Sequence, residues 1–317
     1  MSLAAAEIAP PRDRRPRSRR PRSQRLWAIG ALVMSTACWG LATVMTKSVL
    51  AVTPPFTLLA IQLGASIAFL WIATRVTRQR VPFDRRSRRM ALSGLLEPGL
   101  TYGLAVPGLA LTSVTHASVI GAAEPALICV LAWAMLGDRP AARVLLAIMA
   151  AMAGVVLVTF TGAARPSAGG HAGDILILLG ILCAALYVVV SSRLVAEIAP
   201  LPLVTLQQSV AFVFALVLLA GAWALGFEKR PAALPPGTIL IAAVAGVMQY
   251  ALAFWFYLIG LKALPVGLSA LLLTLAPLFA IVGAMVFLGE RLAPLQWLGG
   301  AVVLGAMIAI KPMSLTG

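Results

Sequence analysis

Ten apolar stretches of about 20 residues follow one another along the sequence, each bounded by proline, glycine or charge. A stretch of that length crosses the hydrocarbon core of a bilayer as a helix, whereas a barrel strand needs only about 10 alternating residues. With 61% hydrophobic and 11% charged residues, the chain has more apolar surface than a globular interior can hide. The sequence therefore predicts an all-α integral membrane protein with ten transmembrane helices, at residues 26–47, 55–75, 89–111, 113–136, 141–160, 173–195, 202–225, 237–261, 265–288 and 294–311.

The basic residues are distributed unevenly between the two sides of this arrangement. If the N-terminus is cytoplasmic, 20 of the 25 lysines and arginines lie on the cytoplasmic side, as the positive-inside rule requires. Both termini are therefore predicted to be cytoplasmic. Residues 1–25 hold eight arginines and four prolines and are predicted to be a disordered cytoplasmic tail. The net charge of +15 thus reflects topology, or contact of the tail with anionic lipid, and does not predict a nucleic-acid partner.

The sequence contains an internal repeat. Positions within the stretch 121–140 match positions within the stretch 275–293 at a constant offset of 152, as Pro125 matches Pro277. The stretches 37–50 and 182–195 match more weakly at an offset near 145. We therefore divide the chain into a first half (residues 26–162), a periplasmic linker (residues 163–172) and a second half (residues 173–311). Because each half has five crossings, an odd number, the halves are predicted to be inverted relative to each other, as in alternating-access transporters.

The repeated motif is a proline in mid-helix followed, twelve residues later, by glycine, an acidic residue and arginine. Its members are Pro125, Gly137, Asp138 and Arg139 in the first half and Pro277, Gly289, Glu290 and Arg291 in the second. The glycine can end a helix and the acidic residue can favour the start of the next. The arginine can pair with the acid or with headgroups. These residues are interpreted as structural or gating elements, together with the mid-helix Pro98.

Two glutamates lie near the predicted membrane midplane, where ionisable side chains are costly and usually functional. Glu97 is predicted to share a helix face with Ser93 and Thr101, because the three are spaced four residues apart. Glu124 lies in the following helix, and a proline directly follows each glutamate. Two interpretations remain open: each carboxyl acts on a substrate or proton, or each is a protonated hydrogen-bonding group with a structural role.

Other polar and aromatic side chains at similar depth complete the candidate binding site: Trp39, Gln62, Tyr102, Tyr187, Gln207, Gln208, Gln249 and Tyr250. The aromatic run at residues 254–257 is assigned instead to the interfacial belt. No basic residue lies in mid-span. The three cysteines and two histidines show no metal-ligand spacing, so neither a metal nor a cofactor is predicted.

The doubled proline and Gly-acid-Arg pattern, with Trp39-Gly40 in the first helix, resembles the EamA-type drug/metabolite transporter superfamily. The resemblance covers nearly all of residues 26–311, and the chain looks most similar to the YddG-type aromatic amino acid exporters of bacterial inner membranes. The second half departs from the first, with Ala276 at the position of Glu124 and Ala184 at that of Trp39. The halves are thus alike as scaffolds and different in chemistry.

The resemblance implies a multi-pass inner-membrane exporter of aromatic and hydrophobic amino acids that works by alternating access. Its partners would be a small-molecule substrate and the lipid bilayer. One rival is an exporter of other metabolites or drugs; another is an intramembrane enzyme, disfavoured because no catalytic constellation converges at one depth. The sequence does not set the oligomeric state, and a monomer is the working hypothesis.

Overall fold

The computed structural model describes residues 22–50, 52–111, 120–121, 123–159, 171–231, 233–288 and 294–309. Their regular structure is helical throughout. The helices are α1 (Arg22–Leu50), α2 (Pro55–Val76), α3 (Arg85–Ala91), α4 (Thr101–Leu111), α5 (Glu124–Leu136), α6 (Ala142–Thr159), α7 (Ala172–Glu197), α8 (Pro200–Ala224), α9 (Pro236–Gly246), α10 (Ala253–Ala263), α11 (Val266–Leu273), α12 (Ala276–Leu288) and α13 (Pro294–Ala309). A 3-10 turn, Leu92–Leu95, and a wide π-type turn, Leu96–Leu100, connect α3 to α4, and a second wide turn, Val247–Leu252, connects α9 to α10.

Several of these helices suit a membrane by length and composition. Five helical segments of the described chain are long and apolar enough to cross a bilayer: Ser23–Leu50, Pro55–Val76, Ala172–Glu197, Pro200–Ala224 and Pro236–Ala263. Four more are apolar but shorter: Glu124–Leu136, Ala142–Leu157, Val266–Ala280 and Trp297–Ala306. Large apolar side chains such as Leu146, Val217 and Ile308 are more than half exposed, which requires lipid around them. The chain is therefore an all-helical, multi-pass membrane protein, while the count of ten crossings and their orientation stay predictions.

The motif residues of the first half lie at helix ends. Gly137 follows α5 in the left-handed conformation, with φ 67°, and its N–H donates to the carbonyl of Trp133 at 3.0 Å, as in many helix termini. The guanidinium of Arg139 lies 5.6 Å from the centre of the Trp133 ring, which is a cation–π contact. Arg139 forms no ion pair with Asp138, and its pairing with a headgroup stays a prediction. Gly289, Glu290 and Arg291 lie outside the described residues.

Two predicted helices are interrupted near their middle. Glu97 has an extended backbone, φ −143° and ψ 129°, and its peptide bond to Pro98 is cis. The prediction of one regular helix face for Ser93, Glu97 and Thr101 is therefore wrong. Glu124 is the first residue of α5, so Pro125 lies in the first turn, where the missing N–H interrupts no helical hydrogen bond. The prediction of a mid-helix proline at position 125 is therefore wrong, because the helix begins at Glu124.

Helices of the first half pack mainly against helices of the second. Helix α1 packs on α10 and α12, while α7 packs on α4 and α5. Helix α2 pairs with α8, and α6 pairs with α13. The largest buried cluster includes Leu32 and Leu63 of the first half together with Tyr187 and Phe254 of the second. The core of the molecule thus lies between the halves.

Two glycines set how closely the halves approach. A Cβ on Gly94 would lie 2.0 Å from the carbonyl oxygen of Gln207, and a Cβ on Gly246 would lie 2.3 Å from that of Gln62. The two glycines are 152 positions apart and the two glutamines are 145 apart. These are the offsets of the sequence repeat, so the same backbone contact occurs twice with the halves exchanged.

Candidate binding site between the two halves

Six aromatic side chains form a continuous cluster between the halves. The ring centres of Trp39 and Phe254 are 5.0 Å apart, and those of Tyr102 and Tyr250 are 5.4 Å apart. Both pairs are edge-to-face, the arrangement that aromatic quadrupoles favour. The members of this aromatic cluster are Trp39, Tyr102, Tyr187, Tyr250, Phe254 and Tyr257. Four of the six were predicted from the sequence as site residues.

The other two members, Phe254 and Tyr257, correct the sequence analysis. They were assigned to an interfacial belt, yet both side chains are fully buried, with ring centres 5.0 and 5.7 Å from Trp39. The spacing of Tyr250, Phe254 and Tyr257 is four and then three residues, which places them on one helix face. That periodicity was the signal that could have found them.

A first hydrogen-bonded network joins the buried side chains of Gln62 and Gln249 through Thr46. The amide nitrogen of Gln62 donates to Thr46 Oγ1 at 2.8 Å, and Thr46 Oγ1 donates to Gln249 Oε1 at 3.2 Å. Gln249 Nε2 then donates to the Tyr102 hydroxyl at 3.1 Å. The network links α1, α2 and α4 to the second wide turn, so it crosses between the halves.

A second network centres on the fully buried Gln207. Its Nε2 donates to Ser93 Oγ at 2.8 Å and to Ser191 Oγ at 3.1 Å, and its Oε1 accepts from the Tyr187 hydroxyl at 3.1 Å. Gln207 is 145 positions after Gln62, and Ser191 is 145 after Thr46. Applying the same repeat offset to Ser191 would have identified Thr46, which sequence reasoning missed.

The two glutamates lie close enough to interact electrostatically. Glu97 and Glu124 interact with each other, Glu97 also interacts with Tyr102, Tyr187 and Tyr250, and Glu124 interacts with Tyr257. Both glutamates are half-buried.

No described residue forms a hydrogen bond or an ion pair with either glutamate. The ion pair that the described residues do form, Arg86 with Glu197 at 2.8 Å, lies on the exposed surface. A carboxylate that is largely removed from water is costly unless it is paired or becomes protonated. The site can therefore accept a cation or hold a proton.

Two predicted site residues stand apart from these networks. Thr101 donates its hydroxyl to the carbonyls of Leu96 and Gly180, at 2.9 and 3.2 Å, so it holds the wide turn and α7 together. Gln208 is fully buried, and neither atom of its amide has a hydrogen-bond partner among the described residues. The Tyr257 hydroxyl is buried and unpartnered in the same sense. Such groups in folded proteins normally bond to water or to a ligand.

Comparison with known protein families gives two matches within this chain. Residues 26–160 match the EamA-like transporter family, and residues 171–311 match it again. A solved crystal structure superposes on 92% of this chain and 99% of its own, with a TM-score of 0.75 and 18% sequence identity. At that identity, the likeness shows the fold alone.

Similar proteins carry transporter names. YvbV of Bacillus subtilis, an uncharacterized transporter, is 26% identical over 278 residues, which cover 86% of this chain and 87% of that protein. YetK, an uncharacterized transporter of the same organism, is 26% identical over 207 residues, 63% of this chain and 60% of its own length. The riboflavin transporter of Rhizobium johnstonii is 39% identical over 69 residues, 22% of this chain and 23% of that protein.

Proposed function

The chain belongs to the EamA-like transporter family, and we propose that it exports small amphipathic solutes that carry an aromatic ring and an ammonium group. Aromatic and other hydrophobic amino acids are the first substrate class, and the bacterial inner membrane is the location. The observation that carries this proposal is the pair Glu97 and Glu124 beside the aromatic cluster, with no basic partner among the described residues. The EamA resemblance is confirmed, while the narrower likeness to YddG-type exporters stays a prediction.

The two parts of the site would recognise the two parts of such a solute. Each well-placed aromatic pair contributes about 0.5–1.5 kcal/mol beyond burial of area, so the cluster favours a flat ring. A carboxylate favours an ammonium group through a charge-assisted hydrogen bond, which is about twice as strong as a neutral one. Gln208 and the Tyr257 hydroxyl, both buried without a described partner, supply further hydrogen-bonding groups.

The transport mechanism that we propose is alternating access between two inverted five-helix halves. The exchanged contacts support it: Gly94 meets Gln207 as Gly246 meets Gln62, and α1 packs on the second half as α7 packs on the first. The site residues come from both halves, so relative movement of the halves would open the site to one side and then the other.

One observation favours a second substrate class. A zwitterionic amino acid also carries a carboxylate, and no described basic side chain lies near Glu97 or Glu124. An aromatic amine without a carboxylate leaves no such charge unpaired. A flat uncharged ring is a third possibility, represented by riboflavin, which a similar protein is named for transporting.

Counterflow in proteoliposomes separates these classes with matched solutes. We expect phenylalanine and phenylethylamine to exchange, and N-acetylphenylalanine, which lacks the ammonium group, not to. Faster exchange of phenylethylamine would identify amines as the preferred class. Glu97→Gln and Glu124→Gln should weaken exchange of the ammonium solutes, and Glu197→Gln, in the surface ion pair, should not. Exchange of N-acetylphenylalanine or riboflavin that survives both glutamate variants would overturn the proposal.

The inverted arrangement has its own test. Single cysteines at Asp138 and Glu290, in a background without Cys38, Cys129 and Cys183, should react with a membrane-impermeant thiol reagent from opposite sides. Asp138 should react from the cytoplasm and Glu290 from the periplasm. Labelling of both from one side would contradict the five-plus-five topology and the mechanism that depends on it.

A further inference from the structure

A groove of about 580 Å³ lies between α2 and α8, and none of its lining residues is a candidate site residue. Its walls are apolar and include Ala65 of α2 together with Phe212 and Leu216 of α8. Leu216 is 43% exposed, so the groove opens on the surface that faces lipid. Trp223 and Arg230 lie at the end of the groove where α8 finishes.

The chemistry of that end differs from the rest of the groove. The guanidinium of Arg230 lies 4.8 Å from the centre of the Trp223 ring. The indole nitrogen of Trp223 is buried and has no hydrogen-bond partner among the described residues. Arg230 forms no ion pair with a described residue. The mouth of the apolar groove is therefore lined by a charged donor, Arg230, and by a tryptophan whose buried N–H has no described partner.

A carboxylate fixes the loop that carries Arg230. Glu228 accepts hydrogen bonds from the N–H groups of Phe56 and Thr57 and from the Thr57 hydroxyl, so it caps the first turn of α2. Because Glu228 is bonded to the N-terminus of α2, its carboxylate is not paired with Arg230. The Arg230 side chain lies at the groove instead. The mouth is thus held in place by contacts that do not involve any ligand.

The length of the groove matches one leaflet of a bilayer. Trp223 and Phe212 are eleven residues apart on α8, or about 16 Å along a helix. Half of the hydrocarbon core is about 15 Å thick. A lipid whose phosphate lies at Arg230 would therefore extend its acyl chain to the inner end of the groove.

We propose that this groove binds one anionic phospholipid. Arg230 and the Trp223 N–H hold its phosphate, and one acyl chain lies between α2 and α8 along Ala65, Phe212 and Leu216. The proposal does not depend on the transported substrate. The predicted topology decides only the leaflet, which would be the periplasmic one. Because α2 and α8 come from different halves, the lipid would bridge the two halves.

Native mass spectrometry of the full-length protein in detergent tests the headgroup contact. The probes are dioleoyl phosphatidylglycerol and dioleoyl phosphatidylcholine, which share the same chains. We expect phosphatidylglycerol to bind more tightly, and Arg230→Gln to weaken its binding about fivefold, the usual effect of one basic residue near an anionic lipid surface. Trp223→Phe should also weaken it. Lys229→Gln is the matched control and should bind as the wild type does.

A second variant tests the chain contact. Ala65→Phe should fill the groove and remove the tightly bound phosphatidylglycerol while leaving Arg230 in place. The melting temperature without lipid checks that each variant is folded. If a variant melts at a clearly lower temperature than the wild type, Arg230→Lys and Ala65→Leu provide the same comparison with smaller changes. Equal weakening by Arg230→Gln and Lys229→Gln would show diffuse attraction and overturn the proposal. Equal binding of the two lipids, or no effect at Ala65, would overturn it as well.

Discussion

The two wide turns of the molecule occupy matching positions in the two halves and differ in chemistry. Leu96–Leu100 follows Gly94, and Val247–Leu252 follows Gly246, each glycine lying against a glutamine backbone. At the offset of 152, Glu97 corresponds to Gln249. The Gln249 amide is bonded to Thr46 and Tyr102, whereas Glu97 has no hydrogen bond to a described residue. The repeat thus keeps the geometry of the turn and places a carboxyl group, without a hydrogen-bond partner among the described residues, on the first turn alone.

The largest effect should come from the contact that the two halves share. Gly94→Ala and Gly246→Ala would each place a Cβ within 2.3 Å of a backbone carbonyl oxygen, which no rotamer change can relieve. We expect the free energy of unfolding of each variant to fall by about 3 kcal/mol or more, the upper end of the usual cost of overpacking a core. The loss should be seen as poor expression and a lower melting temperature.

Gly305 provides the control for these variants, because a Cβ there meets nothing within 4 Å. Gly305→Ala should be neutral or slightly stabilising, since alanine is the better helix former. If only one of Gly94→Ala and Gly246→Ala were harmful, the turns would not be equivalent in packing, and the comparison between the halves would fail.

The next effect should separate the turns. Glu97→Gln makes the first turn resemble the second, and we expect at least about a tenfold loss in apparent affinity for an ammonium solute, since hydrogen bonds to charged groups contribute about 1.5–3 kcal/mol. Gln249→Ala should mainly lower the melting temperature, because it breaks bonds to Thr46 and Tyr102. Counterflow and thermal melting on the same preparations measure both.

The exchanged variant Glu97→Gln with Gln249→Glu sharpens this test. The double variant keeps the number of carboxyl groups and moves one of them to the other half. Recovery of ammonium transport would mean that only total charge matters. We expect no recovery, because Glu97 interacts electrostatically with Glu124, and a carboxyl at position 249 would lie in the other half.

Sequence reasoning predicted the regular parts of the fold well and the interruptions poorly. Helix α2 was expected at residues 55–75 and is Pro55–Val76, and α7 was expected at residues 173–195 and is Ala172–Glu197. Apolar length and flanking prolines are local signals, so they are readable in one sequence. The break at Glu97 lies three residues after Gly94, whose close contact with Gln207 of α8 joins residues more than a hundred positions apart and is not readable from the local sequence.

The residues of the candidate site were likewise predicted in part from the sequence and in part missed. Gln207 and Tyr187 could be found because buried polar residues are rare in apolar helices, and the structure joins them by a hydrogen bond. Phe254 and Tyr257 were misassigned because depth was judged from distance along the chain. Whether a side chain faces lipid or protein depends on the neighbouring helix, here α1 with Trp39.

A smaller effect should distinguish the two buried glutamines that anchor the networks. Gln207→Leu removes three hydrogen bonds, among them the one that the buried Tyr187 hydroxyl donates, which costs about 1–3 kcal/mol. Gln62→Leu removes one bond, to Thr46, which keeps its contact with Gln249. We expect Gln62→Leu to lower the free energy of unfolding by about 1 kcal/mol, the usual contribution of one hydrogen bond. Equal shifts in melting temperature would show that the networks are energetically alike despite their different connections.

The smallest effect concerns Trp39, which the second half replaces with Ala184. Trp39→Ala would make the halves alike at this position and remove ring contacts at 5.0 Å to Phe254 and 5.7 Å to Tyr257. If Trp39 also stacks on the solute, apparent affinity should fall several-fold, as expected for one aromatic contact of about 0.5–1.5 kcal/mol. Trp39→Phe keeps a ring and should retain part of the transport. The melting temperature of both variants separates a contact with the solute from a role in packing. If Trp39→Ala lowers the melting temperature but leaves the apparent affinity at the wild-type level, Trp39 only supports Phe254 and Tyr257. The asymmetry between the halves would then lie in the carboxylates alone.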